Sequence, residues 1–186
     1  MPPKVKVTKE EIVSAAVALV RKDGVQALNA RTVATAIGCS TQPIFSNFQT
    51  MDDLHIAVVE SADKLCQDYM RREEETGAFP PYKANGMAYI RFAKEERELF
   101  KLLYMRDRSR EQIPSDSEHI TKMESLVHSN TGLSGLEAKL FHLEMWAYVH
   151  GIAAMFATEF LDLEWDLVSK MITDMYQGLR KQYGKE

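Results

Sequence analysis

The sequence predicts an all-α protein, and three observations lead to this class. Apolar residues recur at steps of three and four along most of the 186 residues. No stretch alternates convincingly at the two-residue period of a strand, and glycine and proline fall mainly between the helical runs. The runs predict nine or ten helices, which form a small N-terminal bundle and a larger C-terminal bundle.

The first predicted helix follows Thr8 and continues to about Lys22. Asp23-Gly24 is predicted to end it, because glycine supplies the backbone freedom that a helix end requires. The inward face consists of apolar residues at helical spacing, namely Ile12, Ala15, Ala16, Leu19 and Val20.

Residues 29–48 predict two short helices joined by a tight turn at Gly38. Asn29 is a typical cap for the first helix, since its side chain can accept from the free N–H groups of the first turn. Ser40 is predicted to cap the second helix, and Pro43 falls in the first turn, where a missing N–H costs little. The predicted inward residues are Val33, Ala34 and Ile37 in the first helix, and Ile44, Phe45 and Phe48 in the second.

The outer face of the second short helix is polar apart from the ring of Pro43. Such side chains contact base edges and phosphates, so the pair is interpreted as a helix-turn-helix whose second helix enters the major groove of DNA. An αα-hairpin with a polar outer face is the structural alternative. The predicted DNA-binding residues are Asn29, Arg31, Ser40, Thr41, Gln42, Pro43, Phe45, Ser46 and Asn47.

Thr50 and Asp53 predict a capping box at the start of a long helix over residues 51–76. The order of helix, helix-turn-helix and long helix resembles the N-terminal DNA-binding domain of the tetracycline-repressor (TetR) family of transcription regulators. The resemblance implies a DNA-binding domain over residues 6–66. It rests on Ile12, Ala16, Gly24, Val33, Ala34, Gly38, Ser40, Ile44, Phe45, Phe48 and Leu54.

Three positions depart from the pattern of that family. Thr41 replaces a common lysine, Gln42 replaces a common glycine, and Phe45 replaces a common tyrosine whose hydroxyl reaches a phosphate. Losing the lysine and the hydroxyl removes two phosphate contacts, each of which adds to salt-dependent affinity. Specificity is therefore expected to depend on Gln42, Pro43, Ser46 and Asn47 more than on charge.

Composition and charge fit a two-part regulator. A hydrophobic content of 45% and a charged content of 27% are those of an ordinary globular protein. The net charge is −4, but residues 1–50 hold six basic and three acidic residues and are locally positive. The start of the chain lacks an apolar signal core, so a cytoplasmic location without membrane contact is expected.

Cys39 and Cys66 are interpreted as buried hydrophobes, with a thiol switch at Cys39 as the alternative.

The second domain is predicted over residues 67–186. Its helices are expected at about 82–94, 97–106, 117–129, 134–160 and 163–183, with a polar loop at 106–114. The last two helices are apolar over much of their circumference, which indicates that something besides their own chain covers them. A homodimer with a four-helix interface is therefore predicted, the alternative being a helix buried within one subunit. The predicted interface residues are Leu136, Leu140, Val149, Ile152, Trp165, Val168, Ile172, Met175 and Leu179.

Trp146 and His150-Gly151, together with a stretch that begins at Gly86, resemble a C-terminal domain type of some TetR regulators that has a Trp…His-Gly signature. Ten methionines favour an adaptable apolar pocket for a small hydrophobic effector. The alternative is that these residues are core and that the histidines bond to neighbouring helices. The predicted pocket residues are Tyr89, Phe92, Tyr104, Met105, Met123, Phe141, His142, Met145, Trp146 and His150.

The function predicted from these features is a ligand-responsive transcriptional regulator. It is expected to act as a repressor that binds a palindromic operator in double-stranded DNA as a homodimer and is released by a small-molecule effector. A helical ligand-binding or adaptor protein without specific DNA binding is the alternative. An enzyme is not expected, because the sequence lacks recognised nucleophile, phosphate-loop and metal-site motifs, and no cofactor or metal is predicted.

Overall fold

The computed structural model describes residues 7–107 and 118–184, except for the side chains of residues 118–120. It confirms the all-α class. This part of the chain contains helices and turns without a strand. No helix in it is long and apolar enough to cross a membrane. The α-helices are α1 Lys9–Asp23, α2 Ala30–Ile37, α3 Gln42–Asn47, α4 Met51–Thr76, α5 Pro81–Glu95, α6 Arg97–Tyr104, α7 Glu118–Thr131, α8 Gly135–Ala157 and α9 Trp165–Gln182.

The chain divides into two compact units. Unit 1 consists of Met1–Gln67 and Glu96–Arg106, and unit 2 consists of Asp68–Glu95 and Asp107–Glu186. Helix α6 packs against α1 in unit 1, although the sequence-based division placed it in the second domain. Most of the predicted polar loop at 106–114 lies outside the described residues.

Local hydrogen bonds define the ends of the helices in unit 1. Thr8 and Glu11 form a reciprocal capping box at the start of α1. The side chain of Asn29 accepts from the backbone N–H groups of Arg31 and Thr32, both at 3.1 Å, which confirms the predicted cap of α2. Gly38 ends α2 with φ of 74°, in the left-handed region that favours glycine.

The start of α3 differs from the prediction. Thr41, rather than Ser40, is the capping residue, and its side chain makes no capping hydrogen bond. Thr41 has helical backbone angles, so its side chain does not point back at the free N–H groups as an extended cap does. The six-residue helix is instead held by the burial of Ile44 and, just beyond its end, of Phe48.

Helix α5 lies at the centre of unit 2, where α7, α8 and α9 all pack against it. Its contact with α8 is the most extensive between any two helices in the described chain. A helix with neighbours on several sides needs apolar side chains on most of its circumference. The fully buried apolar residues of α5 are Ala84, Met87, Ala88, Ile90, Phe92 and Ala93.

The Asn29 cap provides a test of unit 1. Asn29→Ala is expected to lower the free energy of unfolding by about 1 kcal/mol, because two N–H groups of α2 lose their acceptor. Urea unfolding followed by circular dichroism measures the change. Thr35→Ala, at an exposed position of the same helix, is the control and is expected to be neutral or slightly stabilising. An equal loss in both variants would contradict a capping role.

Candidate nucleic-acid interface and histidine cluster

Unit 1 exposes one face of α3 to solvent. Gln42, Ser46 and Asn47 are exposed, and Thr41 and Pro43 are half-buried. Phe45 is 51% exposed, which corrects its predicted place on the inward face of the helix. Ile44 points the other way and is fully buried. The predicted DNA-binding residues of this helix therefore share one accessible surface, to which Phe45 adds a large apolar ring.

Two of these side chains are already bonded to the backbone of their own unit. The Ser46 hydroxyl donates to the carbonyl of Gln42 at 2.9 Å. The Asn47 amide donates to the carbonyl of Pro43 at 2.8 Å and to that of Val7 at 3.4 Å. Reading a base through Ser46 or Asn47 therefore requires breaking or sharing these bonds, whereas the side chain of Gln42 makes no hydrogen bond among the described residues.

The supporting helix α2 presents Asn29 and Arg31 at its exposed N-terminus. The oxygen of the Asn29 side chain is committed to capping, and its amide group donates to the carbonyl of Ala27 at 3.5 Å. Arg31 has no salt-bridge partner within the described chain. An exposed guanidinium at a helix N-terminus is suited to a phosphate contact.

The predicted pocket residues do not all belong to one unit. Tyr104 and Met105 lie in unit 1, where the Tyr104 hydroxyl is 3.4 Å from the Cys66 sulfur. Burial raises the pKa of Cys66 to about 12, so that thiol is protonated at neutral pH. The other eight lie in unit 2, and the buried ones among them are Tyr89, Phe92, Met123, Phe141 and Met145.

Two tyrosine–histidine pairs connect α5 to α8. The Tyr82 hydroxyl lies 3.0 Å from His142 Nδ1, and the Tyr89 hydroxyl lies 2.9 Å from His150 Nδ1. The Trp146 ring stacks on the His150 ring at 5.0 Å between centroids and 20° between planes, as expected for residues one turn apart on one helix face. These bonds match the alternative that the sequence left open, in which each histidine bonds to a neighbouring helix.

The protonation states of the pairs follow from their surroundings. Burial raises the pKa of Tyr82, so its phenol stays protonated at neutral pH, and the tautomer of His142 sets which of the two groups donates in their bond. Burial lowers the pKa of His150, which favours the neutral imidazole beside Tyr89. No group of three His, Cys, Asp or Glu side chains in the described chain is arranged to hold a metal ion.

The predicted interface residues divide into two groups. Val149, Ile152, Val168 and Ile172 are buried in the core of unit 2, so they have no surface to offer a second subunit. This corrects the prediction: the sequence showed that α8 and α9 are apolar on more than one side but not which side faces their own chain. Leu136 and Leu140 are exposed. Trp165, Met175 and Leu179 are half-buried.

Sequence reasoning missed two residues that the structure brings into prominence. Tyr82 bonds to His142, and Lys83 contacts two hydroxyl groups on α9. The tyrosine carried a usable signal, since Tyr82 and Tyr89 are seven residues apart on one helix face while their partners are eight apart on another. No local signal marks Lys83, because its partners lie far along the chain.

No family model matches the sequence. No curated protein matches it either. Solved structures do match. A protein of unknown function from Rhodococcus sp. RHA1 is 23% identical, with a TM-score of 0.74 over 97% of this chain and 100% of its own. A TetR-like transcriptional regulator from the same organism is 16% identical, with a TM-score of 0.71 over the whole of both chains.

A third solved structure is the multidrug binding protein EbrR in complex with imidazole. It is 17% identical, with a TM-score of 0.61 over 89% of this chain and 88% of its own. Identities in this range show a shared fold. The chain therefore has the fold of TetR-like transcriptional regulators.

The His150 pair makes stability depend on pH. Because burial lowers the pKa of His150, the unfolded chain binds a proton more readily, so stability is expected to fall as pH drops below about 6.5. His150→Gln should reduce this dependence. Urea unfolding at pH 5.5 and 7.5 is followed by tryptophan fluorescence, since Trp146 and Trp165 both lie in unit 2. His55→Gln, in unit 1, is the control. An unchanged pH dependence in His150→Gln would contradict the assignment.

Proposed function

We propose that the protein is a transcriptional regulator that binds a palindromic operator in double-stranded DNA as a homodimer. The observation that supports this most is the exposed face of α3, held beside the capped N-terminus of α2 in a TetR-like fold. A helix presented in this way can enter the major groove while the preceding helix contacts the backbone. Two copies related by a two-fold axis would read two half-sites on one side of the duplex.

Within the interface, base reading is assigned chiefly to Gln42 and to the apolar pair Pro43 and Phe45. The Gln42 amide is exposed and can pair with an adenine edge, and apolar groups favour the methyl group of thymine. Ser46 and Asn47 remain candidates that must first release or share a backbone bond. Arg31 is assigned to a phosphate, and Asn29, Ser40 and Thr41 to the rim of the same surface.

The dimer proposal rests on the exposed face of α8, which keeps the predicted Leu136 and Leu140 and leaves out the buried Val149 and Ile152. Leu136, Leu140 and Leu143 are 72%, 42% and 55% exposed, and they follow one another at steps of four and three. The same stripe continues through exposed Ala147 to Gly151, where an added Cβ would have no described atom within 4 Å apart from its chain neighbours and the nearby backbone of α8. A continuous apolar stripe on the surface marks a contact with another molecule. A second copy of α8 is the partner that a self-complementary interface would supply.

Release by a small hydrophobic effector belongs to the same proposal, together with action as a repressor. Among the structural neighbours, EbrR is a multidrug binding protein with imidazole bound. For this chain, the effector site is assigned to the rings around the two histidines, where half-exposed Trp146 stacks on His150. The Trp…His-Gly type of C-terminal domain remains a prediction.

The alternative is a helical ligand-binding or adaptor protein without specific DNA binding. Two observations favour it: Thr41 and Phe45 replace the usual phosphate-binding residues, and Ser46 and Asn47 are bonded to their own backbone. A cytoplasmic, non-enzymatic role is common to both proposals. The regulator proposal predicts that substitutions on the exposed face of α3 alter the preference for particular DNA sequences. The adaptor proposal predicts that they do not.

Duplexes selected from a random pool by the purified protein provide the test of DNA reading. In gel shifts with a selected duplex, Gln42→Ala is expected to weaken binding by about tenfold or more and to relax preference at one base pair. Arg31→Ala should weaken binding to all sequences similarly and lower the salt slope by about 1. Lys64→Ala, an exposed position on α4, is the control. Equal affinity of the unmodified protein for all duplexes would refute the regulator proposal and leave the adaptor.

The dimer is tested at the exposed stripe of α8. Leu143→Glu places a charge on a surface that is 55% exposed in the single chain, so the subunit should fold normally while the dimer dissociates. Light scattering at micromolar concentration should show half the mass of the unmodified protein. Ile56→Glu, 57% exposed on α4 in unit 1, is the matched control and should leave the mass unchanged. A monomeric unmodified protein would overturn the proposal.

A further inference from the structure

We propose that Lys83, Ser169 and Thr173 form a binding site for one oxyanion group, a carboxylate or a phosphate, on a small molecule. The three residues belong to unit 2. Lys83 Nζ on α5 donates to Ser169 Oγ at 2.8 Å and to Thr173 Oγ1 at 2.9 Å, one turn apart on α9. All three side chains are half-buried, so they are partly shielded from water but remain open to a ligand.

Lys83 differs from the other lysines of unit 2 that have polar partners. Lys94, Lys122, Lys139 and Lys170 each have a carboxylate oxygen within 4.0 Å. For Lys83, by contrast, the described residues supply only two neutral hydroxyls and the ring of Phe79, whose centroid is 4.8 Å from Nζ. A partly buried ammonium is usually paired with an anion, and the described residues provide none for Lys83.

Two hydrogen-bond donors of Lys83 and Ser169 have no acceptor among the described residues. An ammonium has three N–H groups, and the two hydroxyls use two of them. Thr173 donates its own hydrogen to the carbonyl of Ser169, whereas the Ser169 hydrogen has no acceptor among the residues that the structure describes. The remaining N–H of Lys83 and the O–H of Ser169 are carried by Nζ and Oγ, which lie 2.8 Å apart. They can therefore donate to two oxygens of one carboxylate or phosphate.

The electrostatics agree with this assignment. Burial lowers the pKa of Lys83, since the charged form is partly desolvated without a compensating negative charge. A bound anion would supply that charge and restore the pKa. The Phe79 ring beside Nζ adds an apolar contact for the remainder of the molecule, which favours an organic acid over a bare ion.

Thermal shift of the full chain tests the site, with tryptophan fluorescence reporting on unit 2. The probes are sodium benzoate, sodium octanoate and inorganic phosphate, each compared with sodium chloride at equal ionic strength. At least one probe should raise the melting temperature in a saturable manner. A shift with benzoate or octanoate identifies a carboxylate ligand, and a shift with phosphate alone identifies a phosphate ligand.

Variants at Lys83 separate a site from a general effect of charge. Lys83→Met should weaken the apparent affinity at least about tenfold, since a charge-assisted bond is lost, while Lys83→Arg should retain binding. Lys94→Met is the matched control, because Lys94 lies on the same helix and over the Phe156 ring but already has Asp162 as partner. Should Lys83→Met fail to fold, Ser169→Ala removes the second donor and should also weaken binding.

Three outcomes would overturn the inference: no saturable shift with any probe, unchanged affinity in the variants, or an equal loss in Lys94→Met. The site is independent of the proposed DNA binding, because its test contains no DNA. A protein that binds no operator and still shows the Lys83-dependent shift would keep the anion site and lose the regulator.

Discussion

The contact between α5 and α8 is the constraint on which the rest of unit 2 depends. Helix α5 is buried on most of its circumference, so α8 must cover it with a full apolar face. On α8, Phe141, Met145 and Val149 are all buried, and the Phe141 ring also packs edge-on against Tyr176 of α9. The two tyrosine–histidine bonds satisfy polar groups inside the same contact, where an unpaired hydroxyl or ring nitrogen would be costly. Since one face of α8 is committed to α5, its remaining apolar stripe is left on the surface.

The short helix α3 of unit 1 depends on buried side chains, since no side chain caps its start. A helix of six residues such as α3 is not stable alone, because nucleation costs more than one turn of hydrogen bonds returns. It persists through the burial of Ile44 and Phe48. The side chains of Ser46 and Asn47 bond back to carbonyls of the same helix, so they are not free to read DNA. These bonds shift the proposed reading surface towards Gln42, Pro43 and Phe45.

Features with a local physical cause were predictable from the sequence. The caps at Thr8, Asn29 and Thr50 involve partners within three residues, and the left-handed turn at Gly38 is a property of glycine itself. The prediction that Ser40 caps α3 was wrong, because it was inferred from residue type alone. Thr41 is the capping residue instead, and α3 starts one residue later than predicted. The predicted inward position of Phe45 was also wrong, because Ile44 and Phe48, four residues apart, form the buried side, and the adjacent Phe45 points away from it.

The amino-acid sequence by itself determined the all-α class, the approximate bounds of the helices and the polar outer side of residues 41–47, because periodicity, caps and breakers act over a few residues. Only the tertiary structure decided which side of α8 faces its own chain and which tyrosine forms a hydrogen bond with each histidine. It also decided that Lys83 contacts hydroxyl groups on α9 instead of a carboxylate. These contacts join residues 60 to 90 positions apart. Their selection depends on how helices pack, which no local pattern records.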